Sequence, residues 1–252
     1  MTHSFLLIGQ SNMAGRGFLN EAAPLDTKGG RIKVLRNGRW QEMFRPVSSD
    51  RSFAGSSLAE DFAAAYADAH PSVDVGLISC ADGGTQIEQW APGGLLFDYA
   101  VSCAKLAMRS STLVGILWHQ GESDCWDDTF PLYRERLIAL LHALRSELGL
   151  PNIPIMLGGL GDFLADCPMY DGVFKSYPHI NRTLREVAES EPMTAYVPAE
   201  GLGCNPDHLH FSAAALREFG LRYYEAFVAL NSSVTDTEPK EYGGIRNDME
   251  LL

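Results

Sequence analysis

Short apolar runs alternate with amphipathic stretches along most of this chain. The apolar runs are rich in β-branched and aliphatic residues and predict strands at 5–8, 31–36, 73–79, 112–118, 153–159 and 193–198. The amphipathic stretches carry apolar residues at helical spacing and predict helices at 56–70, 96–108, 129–149, 178–190 and 212–230. Such alternation, with continuously apolar strands, is typical of an α/β fold in which helices cover both faces of a mainly parallel sheet.

Terminal signals support two of the predicted helices. Ser57 is followed by Glu60 at the spacing of a capping box. Gly149 follows a helical pattern and is suited to end it. No internal repeat, low-complexity tract or internal linker interrupts the chain, so we expect residues 1–230 to form a single domain. The remaining segment, 231–252, is polar and is expected to be a tail.

Composition and charge narrow the range of partners. The formal net charge of −12 disfavours nucleic acid and anionic membranes, because an acidic surface is repelled by phosphate groups. A neutral substrate is not repelled. The first residues show no basic region before a short apolar run, and the five cysteines are odd in number and scattered. These features lead us to expect a cytoplasmic protein with reduced thiols, and nothing in the sequence indicates an oligomeric state.

Unusual polar residues follow four of the predicted strands. In an open parallel sheet, ligands collect at the carboxyl ends of the strands, so these segments are expected to meet at one edge. The four segments are "GQSN" at 9–12, "SCADGGTQIEQW" at 79–90, "WHQGESDCW" at 118–126 and "GLGCNPDHLHFS" at 201–212.

Three residues in these segments could perform ester hydrolysis. A serine nucleophile requires a base that takes the hydroxyl proton and a group that holds the base in the right tautomer. Asp207 and His210 are three residues apart, so one turn of backbone can bring both side chains to the same side. We expect His210 to face Ser11 while Asp207 accepts a hydrogen bond from the other ring nitrogen. His208 is expected to point elsewhere.

Hydrolysis by serine also requires donors that stabilise the oxyanion. The backbone N–H of Ser11, the backbone N–H of Gly83 and the side-chain amide of Gln120 are the candidates, one from each of three strand ends. Gly83 and Gly84 would also let a substrate approach the backbone closely.

The four segments resemble the sequence blocks of the SGNH (GDSL-like) hydrolase superfamily. "GQSNMAGRG", "ADGGTQIEQW", "WHQGESD" and "DHLH" resemble more narrowly the sialate O-acetylesterase and acetylxylan esterase branch, carbohydrate esterase family six. The resemblance implies a flavodoxin-like three-layer α/β/α fold and a Ser–His–Asp apparatus without metal or cofactor. It also implies deacetylation of a carbohydrate such as an acetylated sugar or oligosaccharide. Carried over by position, Ser11 matches the nucleophile, Gly83 the second-block glycine, and Asp207 and His210 the closing Asp-x-x-His.

The third block departs from the superfamily pattern. The common Gly-x-Asn-Asp is replaced here by Gly121 followed by Glu122-Ser123-Asp124, so the asparagine that usually donates to the oxyanion is missing. We expect Gln120 to supply that donor. Gln10 and Asn12, which flank Ser11, are expected to support the site, as is Glu122, in a buried structural role. Glu122 could instead orient His210 in place of Asp207.

Other interpretations of the same residues remain open at this point. His119, His208 and His210 with Asp124 and Asp207 could form a metal cluster, although that interpretation explains neither "GQSNM" nor the glycine pair. The chain could be a catalytically inactive carbohydrate-binding protein, or a short-chain lipolytic esterase of broad specificity. Arg16 could contact substrate or pair with a surface carboxylate. Three tryptophans beside the blocks could form a sugar platform, although core packing is commoner: Trp90, Trp118 and Trp126.

Overall fold

The computed structural model describes residues 1–232 and contains one seven-stranded sheet. The strands are β1 (Thr2–Gly9), β2 (Ile32–Arg36), β3 (Arg39–Glu42), β4 (Asp74–Ser79), β5 (Thr112–His119), β6 (Ile155–Gly158) and β7 (Thr194–Val197). Their order in the sheet is β3-β2-β4-β1-β5-β6-β7, and every neighbouring pair is parallel except β2 with β3. Strand β1 is therefore central, between β4 and β5.

Six α-helices accompany the sheet in the described part of the chain. They are α1 (Ser11–Ala14), α2 (Leu58–Ala69), α3 (Leu95–Ala107), α4 (Phe130–Leu148), α5 (Tyr177–Ser190) and α6 (Ala213–Ser232). The capping box predicted at Ser57 and Glu60 is present at the start of α2. Gly149 ends α4 with a φ of 67°, a left-handed conformation that glycine adopts at little cost.

Side chains of β1 alternate between two hydrophobic cores. Phe5 and Leu7 pack on one face of the sheet against α2 and α6, and Leu6 and Ile8 pack on the other face against the layer of α3, α4 and α5. Because successive residues of a strand point to opposite faces, an apolar strand of this kind requires cover on both sides. The predicted three-layer α/β/α sandwich is confirmed.

Two features differ from the sequence prediction. Strand β3 was not expected, because its residues "RWQE" are mostly polar; it is an exposed edge strand that pairs antiparallel with β2. Helix α6 extends to Ser232, so the first two residues of the expected tail are helical. The rest of that segment, 233–252, lies outside the described residues.

Within residues 1–232, no helix combines the length and the apolar character that a membrane span needs.

Candidate active site

The end of β1 turns sharply so that Ser11 begins helix α1. Gly9 has a φ of 125°, and a Cβ at this position would lie 2.0 Å from the carbonyl oxygen of His119 on the neighbouring strand. Only glycine fits there. The next residue, Gln10, donates its N–H to the same carbonyl at 2.8 Å. As the first residue of α1, Ser11 has a backbone N–H with no acceptor inside the helix.

Ser11, His210 and Asp207 form a continuous hydrogen-bonded chain. The Oγ of Ser11 lies 3.0 Å from Nε2 of His210, and Nδ1 of His210 lies 2.7 Å from Oδ2 of Asp207. With the Nδ1 proton donated to the carboxylate, Nε2 carries a lone pair that can accept the serine hydroxyl proton. The imidazole side chain is 17% exposed, so solvent and a small substrate can reach it.

The carboxylate of Asp207 is held by more than the imidazole. Its Oδ1 accepts backbone N–H bonds from Leu209 at 2.9 Å and His210 at 3.0 Å. Burial by itself raises the pKa of Asp207, but the hydrogen bonds from the His210 ring and from these two backbone groups outweigh burial and lower the pKa to about 2. The carboxylate is therefore ionised and oriented before substrate arrives.

The two amides beside Ser11 fasten the serine turn to other strand ends. Oε1 of Gln10 faces the backbone N–H groups of Gly121 and Ser123, each at 3.3 Å. Asn12 bonds to the loop that carries His210: its Nδ2 donates to the carbonyl of Leu209 at 3.2 Å, and its Oδ1 accepts from the N–H of Phe211 at 3.1 Å. These bonds hold the loop that carries His210 against the turn that carries Ser11.

Glu122 supports Asn12 and is not bonded to His210. Glu122 is only 2% exposed, and its Oε1 accepts from Nδ2 of Asn12 at 2.6 Å. The same oxygen lies 3.7 Å from Nδ1 of His119, whose pKa is lowered by burial. Of the two acids that sequence alone left as partners of His210, the structure places Asp207 in contact with the imidazole.

The side-chain amide of Gln120, which the sequence offered as an oxyanion donor, is bonded within the protein. Its side chain is fully buried, and its amide nitrogen lies 2.5 Å from Oδ2 of Asp124, 2.9 Å from the carbonyl of Thr85 and 3.2 Å from Oε1 of Gln10. An amide has two N–H donors, and these acceptors occupy both. Through these contacts Gln120 links the second sequence block, 79–90, to the third, 118–126.

Gly83 lies beside Ser11, but its N–H has another acceptor. A Cβ on Gly83 would lie 3.4 Å from Cβ of Ser11, so the two residues are neighbours. The Gly83 N–H, the second candidate oxyanion donor, donates to Oδ2 of Asp50 at 3.0 Å. Gly84 has a φ of 79° and faces open space. The Ser11 N–H is the remaining candidate of the three.

Arg16 pairs with a buried carboxylate and not with a surface one. Its Nη2 lies 2.6 Å from Oδ2 of Asp50, and the two side chains are only 6% and 3% exposed. Arg51, which follows Asp50 in the chain, donates to Oδ1 of Asp82 at 2.7 Å and to the carbonyl of Gly83 at 2.8 Å. Asp50 and Arg51 were missed in the sequence because they lie in a loop with no periodic pattern, far from the four blocks.

The residues of the alternative metal interpretation do not form a metal-binding group in the described structure. Among the residues that the structure describes, no group of three or more His, Cys, Asp or Glu side chains could hold a metal ion. His208 has a φ of 50°, and its Nδ1 lies 4.0 Å from the sulfur of Cys204. Trp90 and Trp118 are fully buried in the core, whereas Trp126 is 42% exposed.

Comparison with known proteins identifies the family to which the chain belongs. A family model described as "Carbohydrate esterase, sialic acid-specific acetylesterase" matches residues 1–229. The chain belongs to this family. The enzyme is thus a carboxylic ester hydrolase that acts on carbohydrate esters, and the resemblance drawn from the four sequence blocks is confirmed.

Relatives of this esterase share its length and its fold. A probable carbohydrate esterase from Arabidopsis thaliana is 27% identical over 252 residues, with 89% of this chain and 90% of the relative covered. A solved structure from Arabidopsis thaliana is 25% identical, with a TM-score of 0.78, and covers 90% of this chain and 98% of its own. NanS has a TM-score of 0.70 at 16% identity, with 92% of this chain and 98% of NanS covered. The identity to NanS is low enough that this likeness shows the fold alone.

Proposed function

We propose that this esterase removes O-acetyl groups from a sugar or oligosaccharide, with Ser11 as nucleophile, His210 as general base and acid, and Asp207 as the group that orients His210. The observation that supports the proposal is the hydrogen-bonded chain from Asp207 through His210 to Ser11 Oγ, at 2.7 and 3.0 Å. The three groups are arranged in the order that serine hydrolysis requires.

The first half of the reaction forms an acetyl-enzyme. Ser11 Oγ attacks the acetyl carbonyl carbon while Nε2 of His210 takes the hydroxyl proton, and the carbonyl oxygen becomes an oxyanion. The Ser11 N–H donates to that oxygen. When the tetrahedral intermediate collapses, the bond from carbon to the sugar oxygen breaks, and His210 returns its proton to the departing sugar hydroxyl.

The second half hydrolyses the acetyl-enzyme. A water molecule attacks the same carbonyl carbon, Nε2 of His210 takes one water proton, and a second oxyanion forms. Its collapse breaks the bond to Ser11 Oγ, which recovers the proton from His210, and acetate leaves. Asp207 accepts the Nδ1 proton of His210 by hydrogen bond throughout, and stabilises the imidazolium each time it forms.

A small acyl group is supported by the polar surroundings of Ser11. Gln10 and Asn12 flank the serine in the chain, and the backbone of Gly83 lies beside it. A pocket for long acyl chains would gain about 0.8 kcal/mol for each buried methylene, and these groups offer little apolar surface for that gain. We therefore expect the efficiency of hydrolysis to fall from acetyl to butyryl and to be very low for octanoyl esters.

The experiment measures hydrolysis of 4-nitrophenyl acetate, butyrate and octanoate by the wild type, by Ser11→Ala and by Ser49→Ala, an exposed serine that serves as control. We expect the wild type and Ser49→Ala to cleave acetate best and Ser11→Ala to have lost nearly all activity. Equal rates in the wild type and Ser11→Ala would refute Ser11 as the nucleophile. Octanoate cleaved as efficiently as acetate would favour the lipolytic alternative.

A further inference from the structure

Phe53 is a large apolar side chain that is exposed beside the candidate active site. Its residue exposure is 70%, and its ring lies 5.3 Å from the Cζ atom of the Arg16 guanidinium. Single exposed apolar residues are common on protein surfaces and need no explanation by themselves. Phe53 is different because the segment that carries it is anchored to the loop beside the nucleophile.

Polar contacts of Asp50 and Arg51 anchor that segment. Asp50 accepts from Arg16 at 2.6 Å and from the N–H of Gly83 at 3.0 Å. Arg51 donates to Asp82 at 2.7 Å and to the carbonyl of Gly83 at 2.8 Å. Taking two charges out of water, as in the Arg16–Asp50 pair, is costly unless the geometry is good, so a buried pair is weak evidence for stability alone. The pair holds the segment of Phe53 at a defined position.

A series of short contacts links Phe53 to Ser11 through Arg16 and Gly83. Nη2 of Arg16 lies 2.5 Å from the point that a Cβ of Gly83 would occupy, and that point is 3.4 Å from Cβ of Ser11. Arg16 therefore contacts both the phenyl ring and the glycine beside the serine.

The chemistry of the ring selects a class of ligand. An aromatic face carries partial negative charge, and it attracts the weakly positive C–H groups that form the apolar face of a pyranose ring. Binding sites for such ligands combine an apolar surface with a few polar groups that fix orientation. Arg51 and Asp82, both partly exposed, supply polar groups beside Phe53.

We propose that Phe53 is the platform on which the pyranose ring of the acetylated sugar stacks while its acetyl group reaches Ser11. The proposal rests on the proposed function, since it needs a sugar ester at Ser11. The buried positions of Trp90 and Trp118 remove two of the three tryptophans that the sequence suggested for this role.

The test compares Phe53→Ala and Phe53→Trp with Phe44→Ala as a matched control. Phe44 is 43% exposed and lies 5.4 Å from the guanidinium carbon of Arg36, a similar cation–π contact in a different place. Each variant is assayed on an acetylated methyl xylopyranoside, on acetylated xylo-oligosaccharides and on ethyl acetate, which has no ring to stack. Thermal unfolding of each variant is recorded beside the kinetics.

We expect Phe53→Ala to raise KM for the acetylated sugars by roughly 3- to 10-fold, the range of an aromatic stacking contact, with kcat and the hydrolysis of ethyl acetate close to wild type. Phe53→Trp should restore KM, and Phe44→Ala should leave it unchanged. An unchanged KM in Phe53→Ala, or an equal rise for ethyl acetate, would overturn the platform while the proposed function stands. A wild type that cleaves none of the acetylated sugars, whether or not it cleaves ethyl acetate, would overturn both the platform and the proposed function.

Discussion

Replacement of Asp207 by Asn separates the two acids that could orient His210. In the wild type, Oδ2 of Asp207 accepts from Nδ1 of His210 at 2.7 Å, while Oδ1 accepts two backbone N–H bonds. An asparagine that keeps its oxygen on the backbone groups presents its NH₂ group to the imidazole. Nδ1 must then accept, so the ring proton moves to Nε2, and Nε2 loses the lone pair that receives the hydroxyl proton of Ser11.

The size of the effect follows from this change of tautomer. In a serine protease the equivalent substitution lowers kcat by about 10⁴-fold with the geometry intact, which corresponds to about 5.4 kcal/mol at about 1.36 kcal/mol for each factor of ten. The imidazole here has the same two partners, so we expect a loss of about 10³- to 10⁴-fold. Glu122→Gln is the matched comparison. Glutamine can still accept from Asn12 through its oxygen, and we expect a loss below about 10-fold.

The assay is hydrolysis of 4-nitrophenyl acetate under saturating and limiting substrate, with thermal unfolding of both variants to confirm the fold. The expected signature in Asp207→Asn is a fall in kcat with KM nearly unchanged, since the substituted group does not contact substrate. A larger loss in Glu122→Gln than in Asp207→Asn, with both proteins folded, would refute the reasoning and transfer the orienting role to Glu122.

Three further predictions concern the pH dependence of activity, the pH dependence of stability and the serine turn. Because the pKa of Asp207 is lowered to about 2, this carboxylate stays ionised as the pH falls from 8 to 4, so Asp207 should not lower kcat/KM in that range. A general base must be unprotonated to act, so kcat/KM should still decrease towards acid pH, and a flat profile would count against His210 as base. The same lowered pKa stabilises the folded protein above about pH 4, the pKa of an aspartate in the unfolded chain. This contribution should be lost as the pH falls towards 2, and acid unfolding of the wild type and of Asp207→Asn measures it. Gly9→Ala should lower the free energy of unfolding in urea by about 3 kcal/mol or more and abolish activity, because its Cβ would lie 2.0 Å from the His119 oxygen. Gly29→Ala, with a φ of 69° but nothing within 4 Å, should cost only about 1 to 2 kcal/mol, and equal losses in the two variants would contradict the steric argument.

Much of the fold could be predicted from the sequence because its signals are local. The alternation of Phe5, Leu6, Leu7 and Ile8 between two cores is a property of any extended, continuously apolar strand, so it predicted a sheet covered on both faces. The capping box at the start of α2 depends on residues three apart. Strand β3 was missed because a polar edge strand is defined by its partner, β2, and not by its own pattern.

Part of the candidate site could also be predicted from local sequence, and part of it depends on the fold. Asp207 and His210 are three residues apart, so the sequence alone was enough to predict that one would face the other. The approach of His210 to Ser11, 199 residues away, is a result of the order of strands in the sheet, and here the resemblance to a known family supplied what local reasoning could not.

The oxyanion donors show what only the tertiary structure decided. Gln120 and Gly83 carry suitable N–H groups, and nothing in their own sequence neighbourhoods says where those groups point. Asp124 and Thr85 occupy the amide of Gln120, and Asp50, from a distant loop, occupies the N–H of Gly83. A buried donor bonds to whichever acceptor the packed chain places within about 3 Å. That acceptor belongs to another segment, so the sequence determined which groups were available and the fold determined which of them remained free.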